Sequence, residues 1–457
     1  MFRQRSQPNN YQERNKTMSS YVTRKTPGDT AWFTQDRFGM FIHWGLYAMP
    51  ARHEWIKMRE MIPEEHYDLY KRYFNPDLYD ARDWARQAKA AGMKYAVMTT
   101  KHHEGFCMFD SQYTDYKATS TPAGRDLIRE YVDAFRAEGL HVGFYYSLID
   151  WHHPDFPIDM LHPRREDTDA REQSEGRDVR KYAEYMRNQV RELLTNYGKI
   201  DVLWFDFSYS GRNGEGDRSW MKGKGKEDWE AEELLRMARE LQPGIIIDNR
   251  AEIEQDLWTP EQYQPQEWLR HAETGELVTW EACQTLSGSW GYHRDEQTWK
   301  SPEMLIRMLV NTVALGGNLL MNVGPTARGY LDSRAEAALK VYADWMKYNS
   351  RSIYGCTMAE PELLASLPRD CRYTQSQDGK RLYLHLFAYP FAHVLLNGLA
   401  GKVAYAQFLH DASEIKFTEG AVRHFSEGAA KANDLLVLEL PPVKPPVVVP
   451  VIELIMK

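Results

Sequence analysis

The chain has few of the features that would tie a protein to a membrane, to nucleic acid or to an oxidising compartment. Among its 457 residues, no segment approaches the ~18 consecutive apolar residues of a membrane span. The formal net charge is −8, whereas phosphate binding requires a concentrated basic surface. We therefore expect neither a membrane nor a nucleic-acid partner. Cysteine is scarce, and the four cysteines fit neither a zinc spacing nor a dense disulfide framework: Cys107, Cys283, Cys356 and Cys371.

Two further absences concern targeting and nucleotide binding. Residues 1–25 are polar and mixed in charge, without the apolar core of a signal peptide, so a cytoplasmic protein is expected. No Gly-x-Gly-x-x-Gly motif follows any strand-like run, which disfavours a dinucleotide-binding sheet.

What the sequence does contain is an alternation of strand-like and helix-like runs over residues 32–354. The strand candidates are 38–44, 95–101, 141–148, 201–206, 245–250, 278–283 and 318–323. The helix candidates are 78–91, 126–138, 179–197, 230–241, 302–315 and 335–349. The first three helices are each followed by a C-cap glycine, namely Gly92, Gly139 and Gly198. Repeated strand–helix units predict a (β/α)8-like TIM barrel.

The pattern changes near residue 356. Residues 381–386 alternate with a period of two, and 433–440 and 447–455 are also strand-like. This change predicts a C-terminal antiparallel β-sandwich. The expected division is a flexible N-terminal arm at 1–30, a catalytic barrel at 31–355 and the β-sandwich at 356–457.

Polar side chains stand at the ends of five successive predicted strands. Asp206 ends the apolar run 200–206, where an ionised carboxylate is costly unless it is paired or used. The C-terminal ends of barrel strands are where such enzymes carry their chemistry. The chain also holds 14 Trp and 27 Tyr, which suit either a sugar site or an aromatic barrel core.

Two kinds of chemistry fit this set of residues. Glycoside hydrolysis requires two carboxyl groups that flank the scissile bond. The competing hypothesis is a metal-dependent barrel hydrolase that uses His43, His102 and His103. Neighbouring residues on a strand point to opposite faces, however, so His102 and His103 form a poor ligand pair.

Seven segments, taken together and in order, resemble the α-L-fucosidases of glycoside hydrolase family 29. They are FGMFIHWG at 38–45, KHHEGF at 101–106, LWFD at 203–206, DNR at 248–250, WE at 280–281, SWGY at 289–292 and GGNLLMNVGP at 316–325. The resemblance spans roughly residues 30–355. It implies a barrel with a C-terminal β-sandwich, no cofactor, no metal and a retaining mechanism through a covalent fucosyl–enzyme intermediate.

The resemblance also implies roles for individual residues. Asp206 falls on the nucleophile of the family. The implied fucose-binding residues are His43, Glu54, Trp55, His102, His103, Tyr146, Trp204, Arg250 and Trp290. Trp290 would meet the methyl group of this 6-deoxy sugar.

The acid/base residue does not align cleanly. In the family it comes from a variable loop after the arginine strand, which here reads DLWTPEQY at 256–263. Glu261 matches a Thr-x-Glu arrangement best, and Glu281 and Glu267 are its rivals. Glu281 follows Trp280 on or near a strand, where a structural role suits it equally.

The working hypothesis is an exo-α-L-fucosidase that acts on fucosylated oligosaccharides. A non-catalytic fucose-binding protein is the other alternative, although Asp206 counts against it. Residues 212–226, rich in Gly and Lys, are expected to form a mobile loop near the acceptor side. Linkage preference stays open, and so does assembly into a homo-oligomer, because the sequence shows no interface.

Overall fold

Seven parallel strands form the central sheet in a computed structural model, which describes residues 20–420 and 434–457. They are β1 (Phe38–Ile42), β2 (Tyr95–Lys101), β3 (His141–Ser147), β4 (Val202–Asp206), β5 (Ile246–Ile247), β6 (Glu281–Thr285) and β7 (Asn318–Val323). Their spatial order is β5-β4-β3-β2-β1-β7-β6. Apart from His141, every residue of these strands is buried, as expected for a sheet that is covered on both faces.

A short extended segment fills the gap between the two edge strands. Leu257 forms a parallel bridge to Asp248, and Trp258 and Glu261 form parallel bridges to Trp280 and Cys283. The backbone N–H of Cys283 donates to the carbonyl of Pro260 at 3.0 Å. Residues 257–261 thus occupy the eighth position of the barrel, although the sequence had indicated a loop there.

The interior of the barrel follows from the alternation of side chains along each strand. Its apolar core consists of Phe33, Phe41, Tyr95, Val97, Tyr145, Val202, Trp204, Ile246, Leu257, Cys283 and Leu320. Every strand of the sheet contributes, with two residues each from β2 and β4 and one each from the other five strands. Leu257 of the eighth segment belongs to the same core, which supports its role in closing the barrel.

Helices surround this sheet. They are α1 (Thr30–Asp36), α2 (Ile56–Arg59), α3 (Glu64–Tyr73), α4 (Ala81–Ala90), α5 (Leu127–Ala137), α6 (Ala170–Glu175), α7 (Val179–Asn196), α8 (Ala231–Leu241), α9 (Pro302–Ala314), α10 (Ser333–Asn349) and α11 (Pro361–Leu364). The glycines predicted to end α4, α5 and α7 all have left-handed backbones, with φ of 85°, 76° and 74° at Gly92, Gly139 and Gly198.

The C-terminal strands form two antiparallel sheets. They are β8 (Cys356–Thr357), β9 (Cys371–Ser376), β10 (Arg381–Leu386), β11 (His393–Asn397), β12 (Val403–Phe408), β13 (Phe417–Glu419), β14 (Leu435–Glu439) and β15 (Val451–Met456). The sheet orders are β12-β15-β10-β9-β8 and β11-β14-β13, with a separate hydrophobic core between them. The predicted fold class, a (β/α)8-like barrel with a C-terminal β-sandwich, is confirmed.

Some predicted boundaries differ from the observed ones. The strand expected at 245–250 is only two residues long, because the chain turns at Asp248, whose Oδ1 accepts from the N–H of Arg250 at 3.4 Å. Residue 433 of the strand expected at 433–440 lies outside the described residues, as do 1–19 of the predicted arm. Residues 20–29 lie against the barrel: the N–H of Arg24 donates to the carbonyl of Leu277 at 2.7 Å.

Candidate active site

Asp206 is the last residue of β4, and its side chain points into the barrel mouth. It follows the inward-facing Val202 and Trp204 at intervals of two, so the strand's alternation sets its direction. Oδ2 accepts a hydrogen bond from the hydroxyl of Tyr145 at 2.7 Å, and Nε2 of His103 lies 3.9 Å from the same oxygen. The side chain is 12% exposed, which leaves room for a reacting atom to approach.

Arg250 joins Asp206 to Glu261. Its Nη1 lies 2.8 Å from Oδ1 of Asp206 and 2.8 Å from Oε2 of Glu261. Thr259 fixes the other side of the guanidinium through Nε at 2.8 Å and Nη2 at 3.3 Å, and the group stacks 4.3 Å from the Trp204 ring. Burial alone would lower the pKa of Arg250, but the neighbouring Asp206, and then Cys283 and Glu261, outweigh burial and raise it. The Arg250 guanidinium therefore keeps the carboxylates of Asp206 and Glu261 close together.

The shared nitrogen limits how far apart the carboxylates can be. Their nearer oxygens cannot be separated by more than twice the 2.8 Å contact. Retaining glycosidases place their two carboxyl groups roughly 5–5.5 Å apart, and inverting enzymes roughly 6.5–9.5 Å apart. This upper limit is compatible with the shorter separation of a retaining pair.

One small cavity brings most of the predicted sugar-binding residues together. Its lining is Phe41, His43, Glu54, Trp55, His102, Tyr145, Trp204, Asp206, Phe207, Arg250, Glu261, Cys283 and Trp290. Oε2 of Glu54 accepts a hydrogen bond from the N–H of Gly291 at 2.9 Å, which joins the loops that carry Trp55 and Trp290. Predicted residue His103 borders this cavity through ring contacts to Trp55 and Phe207, with centroids at 4.7 and 5.4 Å.

The hydrogen-bond partners of two histidines define their tautomers. Nδ1 of His43 lies 2.7 Å from Oδ1 of Asn322, whose amide nitrogen donates to the carbonyl of Trp290. Nδ1 of His103 lies 2.7 Å from the hydroxyl of Ser147, whose proton goes to the carbonyl of Ile149. Both Nδ1 atoms are therefore donors. Burial keeps the pKa of both rings well below the ordinary value, so each neutral ring has Nε2 free to accept from a hydroxyl.

The prediction that Tyr146 lines the sugar site is wrong, and Tyr145 takes that place. Adjacent residues of a strand face opposite sides, and the inward side of β3 belongs to Tyr145. The hydroxyl of Tyr146 instead donates to Oε1 of Gln189 on α7 at 2.7 Å. The inward positions of Val202 and Trp204 on β4 do not tell which residues of β3 face the barrel interior. Only the pairing of β3 with its neighbouring strands decides this.

The two rivals of Glu261 lie elsewhere. Glu267 is exposed and lines neither this cavity nor the larger one beside it. Glu281 is fully buried at the start of β6, where it accepts hydrogen bonds from the hydroxyl of Tyr95 and, at 3.3 Å, from Nε1 of Trp204. Burial raises the pKa of Glu281 to about 7. Its contacts are those of a core residue that supports Trp204.

A residue that the sequence did not single out is Phe207. It follows Asp206 with φ of 80°, a left-handed backbone that costs a residue with a side chain of order 1–3 kcal/mol. Its ring contacts Trp55 at 5.1 Å and Tyr209 at 5.6 Å. This turn carries the chain out of the barrel directly beside the nucleophile candidate.

A second cavity of about 540 Å³ opens beyond Glu261. It shares Phe207, Arg250 and Glu261 with the first, and its remaining lining is Ser208, Tyr209, Arg212, Asn249, Glu252, Trp258, Thr259, Pro260, Tyr263 and Leu269. Its walls carry both aromatic rings and polar groups.

The loop expected to be mobile at 212–226 contributes Arg212 to the lining of this second cavity and is anchored. Lys224 is 3% exposed and pairs with the buried carboxylate of Asp159, which also accepts from the hydroxyl of Tyr209 at 2.5 Å. Glu252 accepts from the hydroxyl of Ser210 at 2.8 Å and from the N–H of Lys226 at 3.2 Å. These contacts fix both ends of the segment.

Within residues 20–420 and 434–457, no group of three or more His, Cys, Asp or Glu side chains is arranged to hold a metal. No helix in the same ranges is long and apolar enough to cross a membrane. The fold and the paired carboxylates define a glycoside hydrolase of the α/β-barrel class.

Comparison with known proteins gives the family. A family model described as Alpha-L-fucosidase matches residues 1–351, and the chain belongs to that family. The plasma alpha-L-fucosidase of Homo sapiens is 30% identical over 419 residues, which cover 84% of this chain and 80% of that protein. This membership favours the glycosidase hypothesis over a metal-dependent hydrolase and over a non-catalytic sugar-binding protein.

Solved structures of alpha-L-fucosidases are similar to this chain in sequence and in fold. Alpha-L-fucosidase isoenzyme 1 from Paenibacillus thiaminolyticus has 47% identity and a TM-score of 0.83, covering 94% of this chain and 98% of its own. A GH29 alpha-L-fucosidase from Bacteroides thetaiotaomicron has 26% identity and a TM-score of 0.76, covering 97% and 99%. The latter structure is described as a covalent intermediate trapped with 2-fluoro-fucosyl fluoride in a Glu-to-Gln variant.

Proposed function

We propose that this protein hydrolyses terminal α-L-fucose from oligosaccharides with retention of configuration, using Asp206 as nucleophile and Glu261 as acid/base. The observation that carries the assignment is the single nitrogen of Arg250 that lies 2.8 Å from both carboxylates. The trapped covalent intermediate of the Bacteroides relative supports the same route.

The reaction has two steps. Asp206 attacks the anomeric carbon and forms a glycosyl ester, while the carboxylic acid of Glu261 gives its proton to the departing glycosidic oxygen. In the second step the Glu261 carboxylate takes a proton from water, whose oxygen attacks the anomeric carbon and frees Asp206. Tyr145 and Arg250 orient the two oxygens of Asp206 throughout.

The first cavity supplies complementary contacts for fucose. His43 and His103 present Nε2 acceptors, Glu54 adds a carboxylate, and Trp55, Trp204, His102 and Arg250 complete the polar and aromatic wall. Trp290 packs 5.9 Å from Phe41 and 5.0 Å from His43, which forms an apolar patch for the methyl group. The 540 Å³ cavity beyond Glu261 lies on the side of the leaving group and supports an oligosaccharide substrate.

Azide rescue of two variants tests both roles. We expect Asp206→Gly to nearly abolish hydrolysis of an aryl fucoside, and azide to restore turnover with formation of β-fucosyl azide, the inverted product. Glu261→Gln should lower kcat/KM by about 10²–10⁴-fold. With azide it should give α-fucosyl azide, the retained product, because the covalent intermediate still forms.

Glu267→Gln is the matched control, since Glu267 is an exposed carboxylate that lines neither cavity. Its kinetics should stay those of the wild type. Near-normal turnover by Asp206→Gly, or a β-fucosyl azide product from Glu261→Gln, would refute the assignment of nucleophile and acid/base. A panel of aryl fucoside, 2′-fucosyl and branched 3/4-fucosyl glycans measures linkage preference.

We further propose a cytoplasmic location. All four cysteines are buried and unpaired, which suits a reducing compartment. Cell fractionation tests this proposal, and recovery of the native protein only from an exported fraction would contradict it. Light scattering on the purified protein measures whether copies associate into a homo-oligomer.

A further inference from the structure

Glu104 is a buried carboxylate that the reaction described above does not use. It lies in the turn after β2 and is only 1% exposed. Neither of its oxygens has a hydrogen-bond partner in the part of the chain that the structure describes. A buried ionised carboxylate is costly without partners, so its position requires a compensating interaction.

The turn that carries Glu104 is fixed in place. The N–H of Gly105 donates to the carbonyl of His102 at 3.0 Å, and Gly105 has φ of 84°. A Cβ at Gly105 would lie 2.2 Å from Oδ1 of Asp150, whose other oxygen accepts from the buried Lys101 at 3.0 Å. The turn is therefore closely packed, with no space for a side chain at Gly105.

The space around Glu104 is shaped to receive its carboxylate. A Cβ at Gly45 would lie 2.7 Å from Oε1 of Glu104, so only glycine permits this approach. Burial, and then the negative charge of Glu104, raise the pKa of Tyr47 and Tyr67. Burial, and then the charges of Glu64 and Glu104, raise the pKa of Tyr116, so all three tyrosines stay protonated around it.

Among the residues that the structure describes, the one basic group within ion-pair distance of this carboxylate is His102. Its Nδ1 lies 3.6 Å from Oε2 of Glu104, and the ring is 3% exposed. Nδ1 also lacks a hydrogen-bond partner among the described residues, so the unsatisfied atoms of the two side chains face each other. His102 lines the fucose cavity, and its ring is parallel to Tyr145, with centroids 5.5 Å apart and an interplanar angle of 7°.

The other two histidines of the site each have a hydrogen-bond partner at Nδ1, which His102 lacks among the described residues. Asn322 holds Nδ1 of His43, and Ser147 holds Nδ1 of His103, each at 2.7 Å. His102 is the third ring of the same cluster, 5.7 Å from His43 and 4.1 Å from His103. In the described ranges of the chain, Glu104 alone is placed to give Nδ1 of His102 the corresponding acceptor.

We propose that Glu104 is a positioning residue, which accepts the Nδ1 proton of His102 and so fixes the ring's tautomer and orientation for a sugar hydroxyl at Nε2. At 3.6 Å the negative charge of Glu104 already favours a proton on the facing Nδ1 of His102 in the free protein, and the contact shortens to a hydrogen bond when fucose fills the cavity, as catalytic contacts tighten on substrate binding. Carboxylates that orient a functional histidine from behind act in this way. The proposal rests on the assignment of this cavity as the fucose site.

The test compares Glu104→Ala with Glu104→Gln. Glutamine retains a carbonyl oxygen that can accept from Nδ1, whereas alanine removes the acceptor. We expect Glu104→Ala to weaken L-fucose binding, measured calorimetrically, and to lower kcat/KM by about 10–100-fold, with Glu104→Gln restoring most of both. Histidine-selective ¹⁵N spectra, assigned with His102→Gln, should show protonated Nδ1 at His102 in the wild type and a tautomer mixture in Glu104→Ala.

Glu192→Ala is the matched control. Glu192 is another buried carboxylate, and its oxygens accept from Ser111 and Gln112, each at 2.8 Å, away from both cavities. Its loss should lower stability without changing the His102 spectrum or fucose binding. Unchanged His102 signals in Glu104→Ala, or equal catalytic losses in the two alanine variants, would overturn the proposal. The spectra are read on the free protein, so they stand even if the Asp206 experiment refutes the assigned reaction.

Discussion

Tyr145 and Tyr146 are adjacent, equally buried, and differ in which face of β3 they occupy. The Tyr145 hydroxyl donates to Oδ2 of Asp206, and that of Tyr146 donates to Oε1 of Gln189, both at 2.7 Å. Replacing each by phenylalanine deletes one oxygen and one hydrogen bond of equal length. The two variants therefore separate the role of the active-site contact from the general cost of losing a buried hydroxyl.

The expected magnitudes follow from the partners. A hydrogen bond to a charged group is worth ~1.5–3 kcal/mol. If the transition state loses that much stabilisation when Tyr145 no longer orients Asp206, Tyr145→Phe lowers kcat/KM for an aryl fucoside by about 10–100-fold. Tyr146→Phe leaves Oε1 of Gln189 unpartnered, which costs ~1–3 kcal/mol of unfolding free energy and leaves kcat/KM near the wild-type value.

The assay is a pair of measurements on each variant: kcat/KM from initial rates and the unfolding free energy from urea titration. Circular dichroism checks that both variants are folded. A catalytic loss in Tyr146→Phe together with normal catalysis in Tyr145→Phe would refute the orientation of β3 and the contact to Asp206.

Two further predictions concern buried ionisable groups. The pKa of Glu281 is about 7 in the folded protein, against about 4.3 when unfolded, so the folded state binds its proton more tightly. Relative to Glu281→Gln, the wild type should therefore lose about 3–4 kcal/mol of stability as the pH rises from about 4 through 7, and the loss should level off only about one pH unit above 7. Lys224→Met should cost about 3–5 kcal/mol, because it leaves Asp159 buried without its cation. It should also raise KM for a fucosylated oligosaccharide more than for an aryl fucoside, since the buried pair anchors a segment that contributes Tyr209 and Arg212 to the leaving-group cavity.

Urea unfolding at several pH values checks the Glu281 prediction. Equal pH dependence in the wild type and the glutamine variant would contradict it. For Lys224, an equal rise of KM on both substrates would show that the loop does not shape the leaving-group cavity. Lys226→Met is the control, because Lys226 is an exposed loop lysine whose one ion pair, to Glu227, is also exposed.

The barrel strands could be predicted because they are continuous apolar runs. Strands β2 and β7 have the expected bounds, and β1, β3 and β4 differ by at most two residues at an end. A strand buried on both faces has few other places in a folded chain, so its composition alone identifies it. The helix ends were equally visible, since glycine adopts the left-handed C-cap at little cost.

The eighth barrel position was not visible. Residues 257–261 contain Pro260, which has no N–H to donate to a neighbouring strand, and only Leu257 and Trp258 are apolar. The segment is extended because it bridges to Asp248, which follows β5, on one side and to Trp280 and Cys283, at β6, on the other. This placement also puts Glu261 at the end of a barrel position beside Arg250.

The sequence by itself determined the barrel, the β-sandwich and the place of Asp206 at the end of a strand. Buried strands, and a carboxylate that follows an apolar run, can be recognised from local composition. Only the tertiary structure decided which tyrosine of β3 faces inward and how Glu104 lies behind His102. It also decided that Glu281 belongs to the core. The physical reason is that these facts depend on strand register and on side chains that meet from distant parts of the chain, and no local pattern of residues records either one.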